Sequence, residues 1–146
     1  DELHVEMVQK ATPPRDGEVR RVLDLACSIG QATVALKQRF PAAEVWGIDV
    51  AAPLLRYAHL RAAERGVDVG FQLGLAEAMP YPDRHFDLVL SYILFHEIPW
   101  RITERVVPEV ARVMRTGGTF CIYEFPNASG SLSPVAQFLI DYDSHD

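Results

Sequence analysis

Along the chain, the spacing of apolar and polar residues switches repeatedly between two periods. "RVLDLA" (21–26) is a short apolar run suited to a central strand. "QATVALKQRF" (31–40) carries apolar residues at helical spacing and stops at Pro41. "EVWGID" (44–49) predicts a second strand. "PLLRYAHLRAAERG" (53–66) predicts a second helix, with Pro53 in its first turn and Gly66 as its stop. "DVGFQLG" (68–74) alternates like a third strand, and "FDLVLSYI" (86–93) is a nearly continuous apolar fourth. "WRITERVVPEVARVMR" (100–115) predicts a helix restarted at Pro108, and "GTFCIYEF" (118–125) a fifth strand. Ahead of this series, residues 1–20 are polar and helix-like until "TPPRDGE" breaks them; behind it, 133–146 begins as a helix and turns polar.

Strands alternating with helices imply right-handed βαβ units, and hence a parallel sheet. The expected fold is α/β: a doubly wound, Rossmann-like, mostly parallel sheet with helices on both faces. Ligands of such sheets bind outside the carboxyl ends of the strands, beside the first. The chain is expected to divide into an N-terminal helix and linker (1–20), a cofactor-binding core (21–126), and the start of a substrate-side helix and loop, cut short (127–146).

Composition narrows the function more than the fold. At 146 residues, 49% hydrophobic and 23% charged, the chain suits one soluble globular domain. No apolar run approaches the ~18 residues of a membrane span, and "DELHVEMVQK" lacks the pattern of a secretory signal. A cytoplasmic protein with no membrane partner is the expectation. A net charge of −6 argues against nucleic acid as a partner. Cys27 and Cys121 have no metal-ligand spacing and read as small buried residues, so no metal site is expected.

Two places carry chemistry in such a fold: the loop after the first strand and the residue closing the second. The loop "LACSIG" has its small residues at Ala26, Ser28 and Gly30, a spacing that counts against a dinucleotide because the third glycine of that fingerprint comes later. Ala26 and Ser28 each add a Cβ where glycine is usual, at slight cost if the backbone there is ordinary. Asp49 closes the second strand, nineteen residues after Gly30, and a carboxylate there suits both hydroxyls of a ribose. A solvated strand-end aspartate is the plainer alternative.

Taken in order, "VLDLACSIG", "GIDVAAPLLRYA", "GLAEAMPYPDRHFDLVLS" and "VPEVARVMRTGGTFCIYEF" resemble the motifs of class I S-adenosylmethionine-dependent methyltransferases of the small-molecule type. The resemblance spans roughly residues 22–125. It implies S-adenosyl-L-methionine as cofactor, S-adenosyl-L-homocysteine as its product, and a small organic methyl acceptor at O, N or C. It implies that Asp24, Ala26, Ser28 and Gly30 surround the methionine end, that Asp49 binds the ribose and that Val50 packs on adenine. Ala76 and Glu77 then sit at the adenine edge, and Ser91 and Tyr92, just past strand four, face the sulfonium and methyl. Where the family has Asp or Asn before the Ala-Glu pair, this chain has Leu75, a loss of one hydrogen bond worth roughly 0.5–1.5 kcal/mol. The family's C-terminal hairpin has no counterpart in the pattern, and a homodimer is left open.

His96, in "YILFHEIP", is the candidate to deprotonate or orient an acceptor, with Tyr92 beside it and Tyr123 and Glu124 of similar standing. A structural histidine capping the next helix is the competing reading. His59 and His85 read as surface residues. The competing function is a catalytically inactive methyltransferase-like scaffold; a nucleotide-dependent oxidoreductase is disfavoured by the loop spacing.

Overall fold

The computed structural model describes residues 2–124; the expectations for 127–146 lie outside them. The elements run α1 (Glu2–Lys10), β1 (Arg21–Leu25), α2 (Gln31–Arg39), β2 (Glu44–Asp49), α3 (Ala52–Glu64), β3 (Gly70–Leu73), β4 (Phe86–Tyr92), α4 (Trp100–Val113) and β5 (Met114–Tyr123). The five strands form one sheet in the order β3-β2-β1-β4-β5, every pair parallel. The order reverses at β1, so the loops after β1 and β4 diverge to opposite sides. The crevice this opens is where a doubly wound sheet binds its ligand.

Alternation along the strands builds two cores. Val22, Val45, Leu88 and Leu90 face α1 and α2, through Met7, Val8 and Ala11 of the first and Ala32, Ala35 and Leu36 of the second. Leu23, Leu25, Ile48 and Val89 face α4, which contributes Val106, Val107, Val110 and Val113. Helix α3 packs on the α2 side. Its Ala58 and Phe71 of β3 leave no room for a side chain at Gly30, whose Cβ would lie 2.8 Å from the Phe71 ring and 3.0 Å from Ala58 Cβ.

Three elements depart from the sequence expectation. Helix α4 is unbroken: Pro108 lies inside it rather than restarting it. The helix gives up a hydrogen bond there, at ~3 kcal/mol, and the burial of its four valines offsets that. Strand β5 begins at Met114, earlier than its apolar run. Phe86 pairs with Met114 and Leu88 with Thr119, so the Thr116-Gly117-Gly118 segment bulges out within the strand. Strand β3 is shorter than its pattern because, as the sheet edge, it has a pairing partner only where β2 runs beside it.

No helix joins β3 to β4. Residues 74–85 cross the α4 face as irregular chain, stitched to that helix by two side chains one turn apart. Glu109 accepts the Met79 N–H (2.7 Å), while Arg112 donates to the carbonyls of Met79 (3.1 Å) and Tyr81 (2.9 Å) and to Asp83 (2.7 Å). At the far end of the sheet, Asp87 accepts the backbone N–H groups of Arg20 and Arg21 and the Arg115 guanidinium. The Arg115 ion pair and the three bonds hold its carboxyl below the usual range despite burial.

Candidate functional site

The register brings Leu25, Ile48, Leu73 and Ser91 to one edge of the sheet, where the loops after β1, β2, β3 and β4 meet. The loop after β1 turns back on three left-handed residues, Ala26 (φ 60°), Ser28 (φ 51°) and Gly30 (φ 74°). All three small positions therefore use glycine-like backbone, so the condition under which a Cβ at Ala26 and Ser28 would cost little is not met. The loop is held to β2 through Cys27 N–H to Ile48 C=O (3.0 Å) and closed by Gly30 N–H to Cys27 C=O (2.8 Å).

Asp49 locks this arrangement. Its Oδ2 accepts the Ser28 N–H at 2.9 Å and its Oδ1 the Ala51 N–H at 2.8 Å. A carboxylate offers about four lone-pair sites, so both oxygens retain capacity toward a ligand. Two cavities flank the loop, with Ala26 lining both. One, of about 190 Å³, is lined by His4, Asp24, Ala26, Ser28 and Tyr92 among others. The other, of about 110 Å³, is lined by Ala26, Ile48, Asp49, Val50, Gly74, Ala76, Glu77, Leu94, Ile98 and Ile102. Together they reach the lower end of the ~300–1,000 Å³ range of small-molecule sites.

Asp24 is fully enclosed and accepts the Thr33 hydroxyl at 2.6 Å. Burial pushes its carboxyl up to about 7, with the nearby Asp49 charge adding to the rise and the Thr33 bond opposing it. Cys27 is buried too, and burial raises its thiol.

The remaining candidates divide. Tyr92 lies in the wall of the larger cavity and Val50, 64% exposed, on the rim of the smaller. Gly30 lines neither; its place is the tight approach of α2 to Phe71. Ser91, expected just past the fourth strand, lies within β4, fully buried, its Oγ without a partner among the described residues. Leu75 is half exposed, and the cavity wall passes from Gly74 to Ala76. His96 lines neither cavity. Its Nδ1 is 2.6 Å from Glu124, which also accepts the Phe95 N–H at 2.7 Å, and its Nε2 is 3.2 Å from Glu97. The Glu124 bond raises the imidazole's pKa. That geometry clasps the turn after β4 to the end of β5.

Sequence reasoning missed His4, Leu94, Ile98 and Ile102. For His4 a signal existed: His4, Met7, Val8 and Ala11 form an i, i+3, i+4, i+7 stripe, obscured by the polar residues between them.

A parallel sheet that reverses at β1, with an acid closing β2 and an apolar slot beside it, defines a nucleoside-cofactor domain. The family model described as a methyltransferase domain matches residues 22–118, and the chain belongs to the class I S-adenosylmethionine-dependent methyltransferases. A demethylmenaquinone methyltransferase of Thermus thermophilus is 40% identical over 107 residues, covering 73% of this chain and 48% of that protein. A ubiquinone/menaquinone biosynthesis C-methyltransferase of Desulfotalea psychrophila is 31% identical over 137 residues, covering 93% and 53%. A crystal structure from Pyrococcus horikoshii matches with a TM-score of 0.71 at 29% identity, over 75% of this chain and 50% of that one. The chain spans about half the length of the curated relatives it matches.

Membership makes S-adenosylmethionine the cofactor of this domain, and the residues present fit it. The apolar slot of Ile48, Val50, Leu94, Ile98 and Ile102 suits a flat purine, and Asp49 retains acceptor sites for ribose hydroxyls. The left-handed loop lets backbone come close to a ligand in the cavity that Asp24 lines.

Proposed function

We propose that this chain is the core of a methyltransferase acting on a small hydroxylated, quinol-like aromatic. When bound, S-adenosylmethionine supplies a methyl carbon already activated toward in-line displacement, so the protein's main task is alignment. In this reading Asp49 holds the ribose hydroxyls, its carboxylate preset by the Ser28 and Ala51 N–H groups. Ile48, Val50, Leu94, Ile98 and Ile102 keep water from the adenine. Asp24, near half-protonated at neutral pH, meets the amino acid end and is drawn toward its ionised form by an incoming ammonium. Tyr92 forms the wall on the acceptor side. The names of the relatives support the acceptor class: several are quinone methyltransferases.

The observation that carries the proposal is the doubly anchored Asp49 in the wall of the smaller, apolar cavity. Calorimetric titration with S-adenosylhomocysteine tests it. The wild type should bind, and Asp49→Ala should lose at least ten-fold in affinity, as expected for charge-assisted bonds worth ~1.5–3 kcal/mol. Binding unaltered by the substitution would show that the ribose is held elsewhere. No binding by the wild type would favour an inactive scaffold.

A further inference from the structure

We propose that Glu124, directly after β5, is a positioning residue for the cofactor. It locks the turn after β4 in a conformation that Ile93 disfavours, and so holds Leu94 in the wall of the apolar slot. The inference rests on the methyltransferase reading above and goes beyond it, because Glu124 lies outside the span that the family model matches and lines neither cavity.

The turn is strained at its first residue. Ile93 has a φ of 55°, in the left-handed region. A β-branched side chain makes that conformation an outlier, and such residues persist only where their surroundings over-determine them. Here the surroundings are bonds to the neighbouring strand. Ile93 N–H donates to the Tyr123 carbonyl at 2.8 Å and, two residues on, Phe95 N–H donates to Glu124 Oε1 at 2.7 Å. Leu94, between them, has its backbone pinned on both sides. Glu97 N–H then closes the turn on the Leu94 carbonyl at 3.0 Å.

The side chains follow from that backbone. Phe95, 5% exposed, packs on β5 with its ring edge to face with Phe120, the centroids 6.1 Å apart. Leu94 and Ile98 turn instead into the slot beside Val50 and Ile102. Glu124 is held in its turn, its Oε2 lying 2.6 Å from His96 Nδ1, so both oxygens engage the segment that it locks. The Ile93 bond continues the pairing of β4 with β5, whereas the Phe95 bond depends on this one side chain. A turn released from Glu124 relaxes at Ile93 and carries Leu94 out of the slot. The cofactor then has to restore the strained turn from its own binding energy, and its apparent affinity falls by that amount.

The test is calorimetric titration of the full chain with S-adenosylhomocysteine. Glu124→Ala should weaken binding by at least three-fold and by up to about thirty-fold, the upper value being ~2 kcal/mol, the cost of one left-handed L-residue. Ile93→Gly, added to Glu124→Ala, should restore much of the affinity, because glycine enters the left-handed region freely. A loss of overall stability would not be repaired by removing a second side chain. Amide hydrogen exchange of Phe95 in the wild type gives a measurement that needs no variant. It should slow by about three-fold or more on saturation with S-adenosylhomocysteine, because the ligand favours the locked turn by the same affinity ratio. That measurement decides the matter should Glu124→Ala not fold. A loss smaller than about three-fold, a loss that Ile93→Gly leaves in place, or Phe95 exchange unaltered by the ligand overturns the proposal. Failure of the wild type to bind S-adenosylhomocysteine counts instead against the methyltransferase reading itself.

Discussion

At the scale of single residues, the loop after β1 keeps a glycine backbone with little glycine. Left-handed backbone costs an L-residue roughly 1–2 kcal/mol, and Ala26 and Ser28 both sustain it. The compensation is visible in Ser28, whose N–H is aimed at Asp49 only because of that turn. Replacing Ala26 or Ser28 by glycine should therefore relieve strain, less the greater entropy of glycine in the unfolded chain. A gain of about 0.5–1 kcal/mol in each variant is expected from urea denaturation, and a loss at both sites would contradict the strain. The small-residue spacing was legible in the sequence, but its conformation was not. An alanine in ordinary backbone and one forced left-handed are spelled the same, and only the bonds from the loop to β2 distinguish them.

At the scale of elements, the strands were legible because buried parallel strands are nearly continuous in apolar residues. Their ends were not. β5 shows why: Gly117 and Gly118 look like a turn before the strand, yet Met114 already pairs with Phe86 and the glycines form a bulge inside it. Gly118 is confined there, since a Cβ would lie 2.9 Å from the Arg115 carbonyl oxygen and 3.0 Å from that of Asp87. Both are backbone atoms that cannot step aside without opening the pairing of β4 with β5. Gly118→Ala should accordingly cost about 1–3 kcal/mol, measured by thermal or urea unfolding; a neutral result would mean that the bulge is free to move. The irregular crossover of 74–85 was equally hidden, because what shapes it is Glu109 and Arg112 on a helix some thirty residues later.

At the scale of the whole molecule, the buried Asp24 ties folding to pH. Its carboxyl rises from an ordinary 3.8 to about 7 on folding, so between those values the native state holds a proton that the unfolded chain has released. Its contribution to stability is complete below about 4 and is lost as pH rises toward 7, by at most roughly 1.4 kcal/mol per pH unit. Asp24→Asn keeps an acceptor for Thr33 and removes the titration. Its urea midpoint should thus vary less than that of the wild type between pH 5 and 8, and parallel profiles would show that Asp24 is not the group responsible. The sequence by itself determined the class of fold, the family and the identity of the acid closing β2, because these depend on local period and on motifs in order along the chain. Only the tertiary structure decided which residues share a cavity. It put His4 of α1 against Tyr92 of β4, drew Ile98 and Ile102 beside Asp49, enclosed Ser91 in the sheet, and gave His96 to Glu124. Such pairings join segments far apart in the chain, and sheet order and register set them, which no local pattern encodes.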